Sequence, residues 1–303
     1  MAVVVTGSAG FLGRALVASL AADGVPVVGI DRRQAAPAGG VRQLRADLLG
    51  GDPAVAAALG VAEAVFHLAG HPGVRPAGPA VEAARARDNV AATAAVLRLV
   101  PHPIPLVVAS SSSVYGGAFG RPSREDDPLR PLGGYARSKA AVELLCAQRM
   151  ATGGLVTVAR PFTVAGEGQR PDMALARWIA AVRAGRPVHM LGSPARTRDV
   201  TDVRDVVRAL RLAAERRVAG PLNVGTGRPR TLAELVAAVC RGLGAPAELV
   251  VTPAGADEPA ATWADTTLIR RRLGFVPVTD LDELVARQAA ASRDAADQLA
   301  PLP

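Results

Sequence analysis

Short apolar runs alternate with longer amphipathic ones along the first half of the chain. "AVVVTG" is a β-branched run closed by glycine, and "FLGRALVASLAADG" has apolar residues at helical spacing with a glycine stop. "VPVVGID" and "VRQLRAD" predict two further strands. "EAVFHLAG" and "IPLVVASS" predict two more, with a long helical segment over about 78–100 between them. "YARSKAAVELLCAQRMA" reads as a helix and "LVTVARP" as a strand. Strands that are apolar on both faces need cover on both faces, and strand–helix alternation places them in parallel. The expected fold class is α/β, a Rossmann-type doubly wound parallel sheet.

Past Pro161 the rhythm changes. "FTVAGEGQRPDM" is a loop punctuated by Gly and Pro, followed by a helix to about Arg183. A short strand "PVHMLGS", a helix "TDVRDVVRALRLAAER" and a strand "PLNVGTG" come next. "TLAELVAAVCRGLG" opens on Thr231 with Glu234 three residues on, the pattern of a capping box. A short strand and two helices complete the chain.

Composition narrows the partners. Half of the 303 residues are hydrophobic and a fifth are charged, as expected of a soluble globule. The net charge of +8 attracts anions. No dense basic run or aromatic–basic interleaving points to nucleic acid, so a nucleotide or sugar phosphate is the expected partner. His71, His102 and His189 show no metal spacing, and no metal is expected. Cys146 and Cys240 read as free thiols in a reducing cytosol. No leader segment and no apolar run of membrane-spanning length are recognised, so a cytoplasmic protein without a membrane partner is expected.

"TGSAGFLG" follows the first strand and opens the first helix. Gly7 permits a tight turn, Gly10 lets backbone approach a pyrophosphate, and Gly13 lets helix and strand pack closely. The helix N-terminus then faces the phosphates. Asp31 ends the second strand, where a carboxylate accepts from a ribose 2′-hydroxyl. This is a dinucleotide site. Asp31 favours NAD, whereas Arg32 and Arg33 offer charge for the extra phosphate of NADP. Residues 1–162, with about 199–225, are expected to form the NAD-binding Rossmann domain. Residues of about 163–198 and 226–303 are expected to form a smaller substrate-binding domain.

"SSSSVYG" ends the "IPLVVA" run, and Tyr135 and Lys139 form Y-x-x-x-K in "YARSK". On a helix these two share a face. Free tyrosine has a pKa of about 10, and a neighbouring ammonium stabilises the phenolate. The glycine loop, "SSSSVYG" and "YARSK", in this order, resemble the extended short-chain dehydrogenase/reductases, and among them the nucleotide-sugar epimerases and dehydratases. "FHLAG", "DNVAAT", "RPFTVAG", "GQRPDM", "TRDVTDVRDVV" and "NVGTG" extend the resemblance over most of the chain.

The resemblance implies a catalytic set of Ser111, Tyr135 and Lys139. Tyr135 would remove a proton from the sugar C4 hydroxyl while hydride passes to NAD. The 4-keto sugar would rotate and take hydride back on its other face. Lys139 would lower the Tyr135 pKa and hold the nicotinamide ribose. Ser111 would hydrogen-bond the reacting hydroxyl, with Ser110, Ser112 and Ser113 as local hydrogen bonders and Ser112 also touching substrate. Cofactor contacts are implied for Phe11 and Leu12 in the loop, Arg32, Asp47 and Leu48, then Leu68, Ala69 and Gly70, and finally Asn89 and Pro161. Asp47 would meet the adenine edge, and Asn89 would support the central helix. His67 is read as structural, and Trp178 and Trp263 as packing residues.

Within the family, dehydratases and decarboxylases carry acids where this chain has Ser112 and Ser113. "FTVAGEGQRPDM" resembles UDP-glucuronate 4-epimerases, which places Thr163 and Arg170 at the sugar. "HPGVR" adds Arg75, and Leu191 is a further substrate contact. Arg198 in "TRD" corresponds to a diphosphate-binding arginine, with a salt bridge to Asp199 or Asp202 as its structural alternative. Asp257 and Glu258 in "PAGADEP" would repel a phosphate unless they point away, and Arg270 to Arg272 are nearby substitutes. The expected activity is NAD-dependent C4 epimerisation of UDP-glucuronate or of UDP-glucose/galactose by a homodimer pairing helices near 81–100 and 135–150. Alternatives are an NAD(P)H-dependent 4-ketoreductase of a nucleotide-linked deoxysugar, a nucleotide-sugar decarboxylase, or a non-catalytic dinucleotide sensor.

Overall fold

The computed structural model describes residues 2–34, 39–73 and 77–297. The first half runs β1 (Val3–Thr6), α1 (Phe11–Ala22), β2 (Val27–Asp31), β3 (Val41–Arg45), α2 (Pro53–Gly60), β4 (Ala64–His67) and α3 (Pro79–Arg85). A π-helical segment (Ala86–Ala91) leads into α4 (Ala92–Leu99), β5 (Leu106–Ala109), a 3₁₀ turn (Ser112–Tyr115), α5 (Gly133–Ala151) and β6 (Val156–Pro161). Then come β7 (Val164–Ala165), α6 (Ala174–Arg183), β8 (Val188–Leu191), β9 (Thr197–Arg198), β10 (Thr201–Asp202), α7 (Val203–Glu215) and β11 (Gly220–Val224). β12 (Arg230–Thr231), α8 (Leu232–Leu243), β13 (Leu249–Thr252), α9 (Thr267–Leu273) and α10 (Leu281–Asp297) follow.

Seven strands form one parallel sheet in the order β3-β2-β1-β4-β5-β6-β11. β1 is buried along its whole length because helices cover both faces. On one face Leu16, Val17 and Leu20 of α1 pack with Val206, Val207 and Leu210 of α7 and with Ile269 of α9. On the other, Val55 and Leu59 of α2 meet Val96 of α4 and Val142 and Cys146 of α5. The chain winds outward in both directions from β1 and β4. That reversal opens a crevice beyond their C-terminal ends, where α/β sheets bind ligands.

A separate core joins α6, α8, α10 and β8. It contains Leu175, Trp178, Ile179, Met190, Leu235, Val239, Leu284 and Val285. Here Trp178 packs and donates its Nε1–H to the His189 carbonyl at 3.0 Å. The capping box of Thr231 and Glu234 is present at the start of α8. The long helix expected over about 78–100 is interrupted by the π segment, which holds Asp88 and Asn89. A π turn carries an extra residue and turns side chains toward a site that a regular helix would pass by. Asp88, Asn89 and Ala92 all line the central cavity.

Candidate active site

The crevice is a cavity of about 900 Å³ running from the β1–α1 loop to residues 257–259. The loop builds one end. Gly7 has φ +71°, and a Cβ on Gly13 would lie 2.0 Å from the Gly7 carbonyl oxygen. Only glycine lets α1 start this close to β1. Gly10 caps α1 without a side chain, leaving the first backbone N–H groups directed at the cavity. Asp31 fastens the loop, accepting from the Ala9 N–H at 3.0 Å and the Arg33 N–H at 2.9 Å. Oδ1 also accepts from the Arg33 Nε–H at 3.5 Å, and Oδ2 keeps a lone pair for a hydroxyl. The cradle and the acid fit a pyrophosphate and a ribose diol.

Arg32, Asp88, Arg87 and Asp47 form a chain of ion pairs at this mouth. Arg32 reaches Asp88 at 2.7 Å, Arg87 reaches Asp88 at 2.6 Å, and Arg87 also binds Asp47. The Arg87 hydrogen bond holds the Asp47 carboxyl below the usual range. Arg32 is therefore already neutralised, which leaves less charge for a 2′-phosphate.

The middle of the cavity carries the serines, tyrosine and lysine. Ser111 caps the 3₁₀ turn, its Oγ accepting from the Ser113 N–H at 3.1 Å. That bond leaves the Ser111 hydroxyl proton and one lone pair for other partners. Lys139 is buried and donates to the Ala109 carbonyl at 2.8 Å. Its Nζ lies 5.9 Å from the centre of the Tyr135 ring. Burial depresses Lys139 to about 8. Burial raises Tyr135, while a hydrogen bond with Ser111 and the charges of Arg170 and Arg85 pull it down. Positive charge thus reaches the tyrosine from Arg170, Arg85 and the Lys139 ammonium over its ring, which also donates to the Ala109 carbonyl.

Behind these groups stands a buried network. Ser110 donates to Glu143 at 2.5 Å, and Arg160 grips both Glu143 oxygens at 2.9 and 2.6 Å. Arg160 also donates to the Tyr115 hydroxyl at 2.7 Å, which donates to Asn223 at 2.7 Å. Asn89 accepts from the His71 N–H at 2.6 Å and donates to Ser138 at 2.8 Å, tying the β4 exit to α5. His67 is fully buried between Thr6 (2.7 Å) and Thr93 (3.0 Å) and is held neutral, its pKa lowered to about 3 by burial.

Gly7, Gly10, Phe11, Leu12, Gly13, Asp31, Arg32, Asp47, Leu48, Leu68, Ala69, Gly70, Asn89 and Pro161 all line the cavity. So do Ser111, Ser112, Thr163, Arg170 and Arg198. Leu191 does not: it ends β8, paired with Thr252 of β13, on the side of the second core. Arg75 lies outside the described residues. Ser113, expected to be a local hydrogen bonder, has a buried Oγ without a partner among the described residues.

Arg198 pairs with Glu258 at 2.5 Å rather than with Asp199 or Asp202. Asp199 is taken by the Thr226, Gly227 and Ala264 amides, and Asp202 caps α7 and binds Arg287. Glu258 thus faces its arginine, and Arg270 to Arg272 stand on α9 away from the cavity. Sequence reasoning missed Arg14, Gln169, Met173 and Thr262 on the cavity wall, and Glu82 and Arg85 behind it. Only distant segments meeting in space reveal them.

Fold and cradle together define a dinucleotide-binding enzyme fold of the Rossmann type. Residues 3–225 match the NAD dependent epimerase/dehydratase family, and the chain belongs to it. It is 30% identical over 310 residues to an uncharacterized UDP-glucose epimerase, YtcB, of Bacillus subtilis (strain 168), covering 96% of this chain and 97% of that one. It is 31% identical over 333 residues to a probable UDP-glucuronate 4-epimerase of Rhizobium meliloti (strain 1021), covering 95% of each. The solved structure of MoeE5 with UDP-glucuronic acid and NAD is similar at a TM-score of 0.89 and 39% identity, covering 97% of this chain and all of that one. The family is NAD-dependent and the cavity fits NAD, which is the cofactor of this chain. The protein is therefore an extended short-chain dehydrogenase/reductase of the nucleotide-sugar epimerase/dehydratase class.

Proposed function

We propose that this protein inverts C4 of a UDP-sugar, with UDP-glucuronate as the first substrate to test and UDP-glucose or UDP-galactose as the next. The observation that carries the reading is the one cavity wall that brings Ser111, Tyr135, Lys139 and Arg170 together. A guanidinium is the natural partner of a sugar carboxylate. MoeE5 and the Rhizobium relative are described with UDP-glucuronate.

In this reading Tyr135 takes the proton from the C4 hydroxyl and later returns it. Ser111 orients that hydroxyl, and Lys139 holds the end of β5 and the ribose beside it. Bound NAD supplies the acceptor and donor for hydride at C4. Gly7, Gly10, Phe11, Leu12, Gly13, Asp31, Asp47, Leu48, Leu68, Ala69, Gly70, Asn89 and Pro161 hold NAD. Ser112, Thr163, Arg170 and Arg198 hold the UDP-sugar. The stretch from Ser110 to Ser113 offers hydroxyls alone, which suits epimerisation better than elimination or decarboxylation. Net reduction with NADPH is disfavoured by the Arg32–Asp88 pair. The reading includes a cytoplasmic homodimer paired through α4 and α5, whose Leu99 and Leu144 are exposed.

Tyr135→Phe is the test. Loss of a positioned acid–base group costs about 10²- to 10⁴-fold in kcat. The variant is expected to lose turnover to that extent while binding NAD and UDP as the wild type does. Turnover within a few-fold of wild type overturns the assignment.

A further inference from the structure

Arg85 belongs neither to the glycine loop nor to the Ser–Tyr–Lys set, yet it is among the largest fully buried side chains, at 1% exposure. Its Nη1 donates to Glu82 at 2.6 Å and its Nη2 to the Gly73 carbonyl at 2.7 Å. Gly73 is on the cavity wall. Glu82 in turn lies against the first turn of α5, since a Cβ on Gly134 would fall 1.9 Å from its carboxylate oxygen. The next residue is Tyr135. An apolar side chain of similar volume would fill this space without the desolvation cost of a charge.

We propose that Arg85 is a positioning residue for proton transfer at Tyr135. With Glu82 it ties the Gly73 carbonyl to the first turn of α5, one residue before Tyr135, and brings a buried positive charge to that turn. The inference rests on the reading of Tyr135 as the proton-transfer group. The groups around Tyr135 are Ser111 and Arg170 at the cavity, Lys139 one turn along α5, Glu82 and Arg85 from α3, and Asp257 beside Gly133. Arg170 is partly exposed and shared with Asp172, so its field is screened. Arg85 is shielded from solvent, and an arginine keeps its charge at every working pH. Burial holds the Tyr135 phenol above its ordinary value, and the Arg85 charge opposes that effect.

The chain has two tyrosines, and burial pushes Tyr115 far above the ordinary range. Phenolate absorbance of the full-length protein, titrated upward from neutrality, therefore reports Tyr135, with Tyr135→Phe as the blank. Arg85→Met is expected to raise the midpoint by about one pH unit, and Arg85→Lys to restore most of the shift. Glu82→Gln removes the opposing charge with little change of shape, and is expected to move the midpoint down. A purely structural role would disturb both variants in the same direction. An unchanged midpoint in Glu82→Gln, or one that moves up, overturns the proposal, and so does a folded Arg85→Met without a shift. If Arg85→Met does not fold, Glu82→Gln and Arg85→Lys decide. Because the readout needs no substrate, it separates this proposal from the assignment of the reaction.

Discussion

His67 stands at the end of β4 beside the cavity, where a catalytic histidine would be placed, yet its surroundings make it a structural residue. The Thr93 hydroxyl donates to the Asn89 carbonyl at 2.6 Å, so it accepts from His67 Nε2–H. Nδ1 then accepts from Thr6, and the neutral ring is satisfied on both sides. Its pKa of about 3 in the fold lies below the ordinary 6.5, so the unfolded chain binds the proton first as pH falls. Stability from this residue is complete above the unfolded value and is lost as pH drops toward the folded one. The slope is about 1.4 kcal/mol per pH unit. Urea unfolding at pH 8 and pH 5 is expected to show the wild type losing about 2 kcal/mol more than His67→Gln. Parallel losses in the two proteins would contradict the assignment.

At the scale of elements, α5, which sets Tyr135 and Lys139 on the cavity wall, is pinned from behind. Glu143, one turn after Lys139, holds Ser110 and Arg160 in a pair almost closed to water. Removing one partner of such a pair leaves a buried charge and costs about 3–5 kcal/mol, whereas replacing both with apolar residues is near neutral. Chemical denaturation of Glu143→Ala is expected to show that loss. The double variant Glu143→Met with Arg160→Met is expected to recover most of it. Equal losses in both would show that the charges matter less than the space they fill.

The elements themselves were legible in the sequence wherever periodicity and punctuation agreed. β1, α1 and the capping box of α8 follow from "AVVVTG", the glycine stop and the Thr231–Glu234 spacing. The π segment was not legible, because one inserted residue does not disturb an apolar period enough to be seen. The glycine loop was readable from its own spacing, whereas Ser111, Tyr135 and Lys139 stood out only through the resemblance, and all three line the cavity. The Arg198–Glu258 pair and the Arg85 clamp were not readable, because their partners are distant in sequence or lie behind the site.

In the whole molecule the cavity runs from the C-terminal ends of the sheet strands to the segments around 161–173, Arg198 and 257–262. One end is built for a dinucleotide, and the other holds Arg170, Arg198 and Glu258. An enzyme that borrows and returns hydride within one turnover needs both ligands in one enclosure, and this cavity is continuous between them. The most direct test of the account is a proton NMR time course of the purified protein with UDP-glucuronate and NAD. The account predicts that the C4 epimer appears until the two sugars equilibrate, with no net NADH. A product that has lost water or carbon dioxide, or NADH formed in proportion to product, would contradict it.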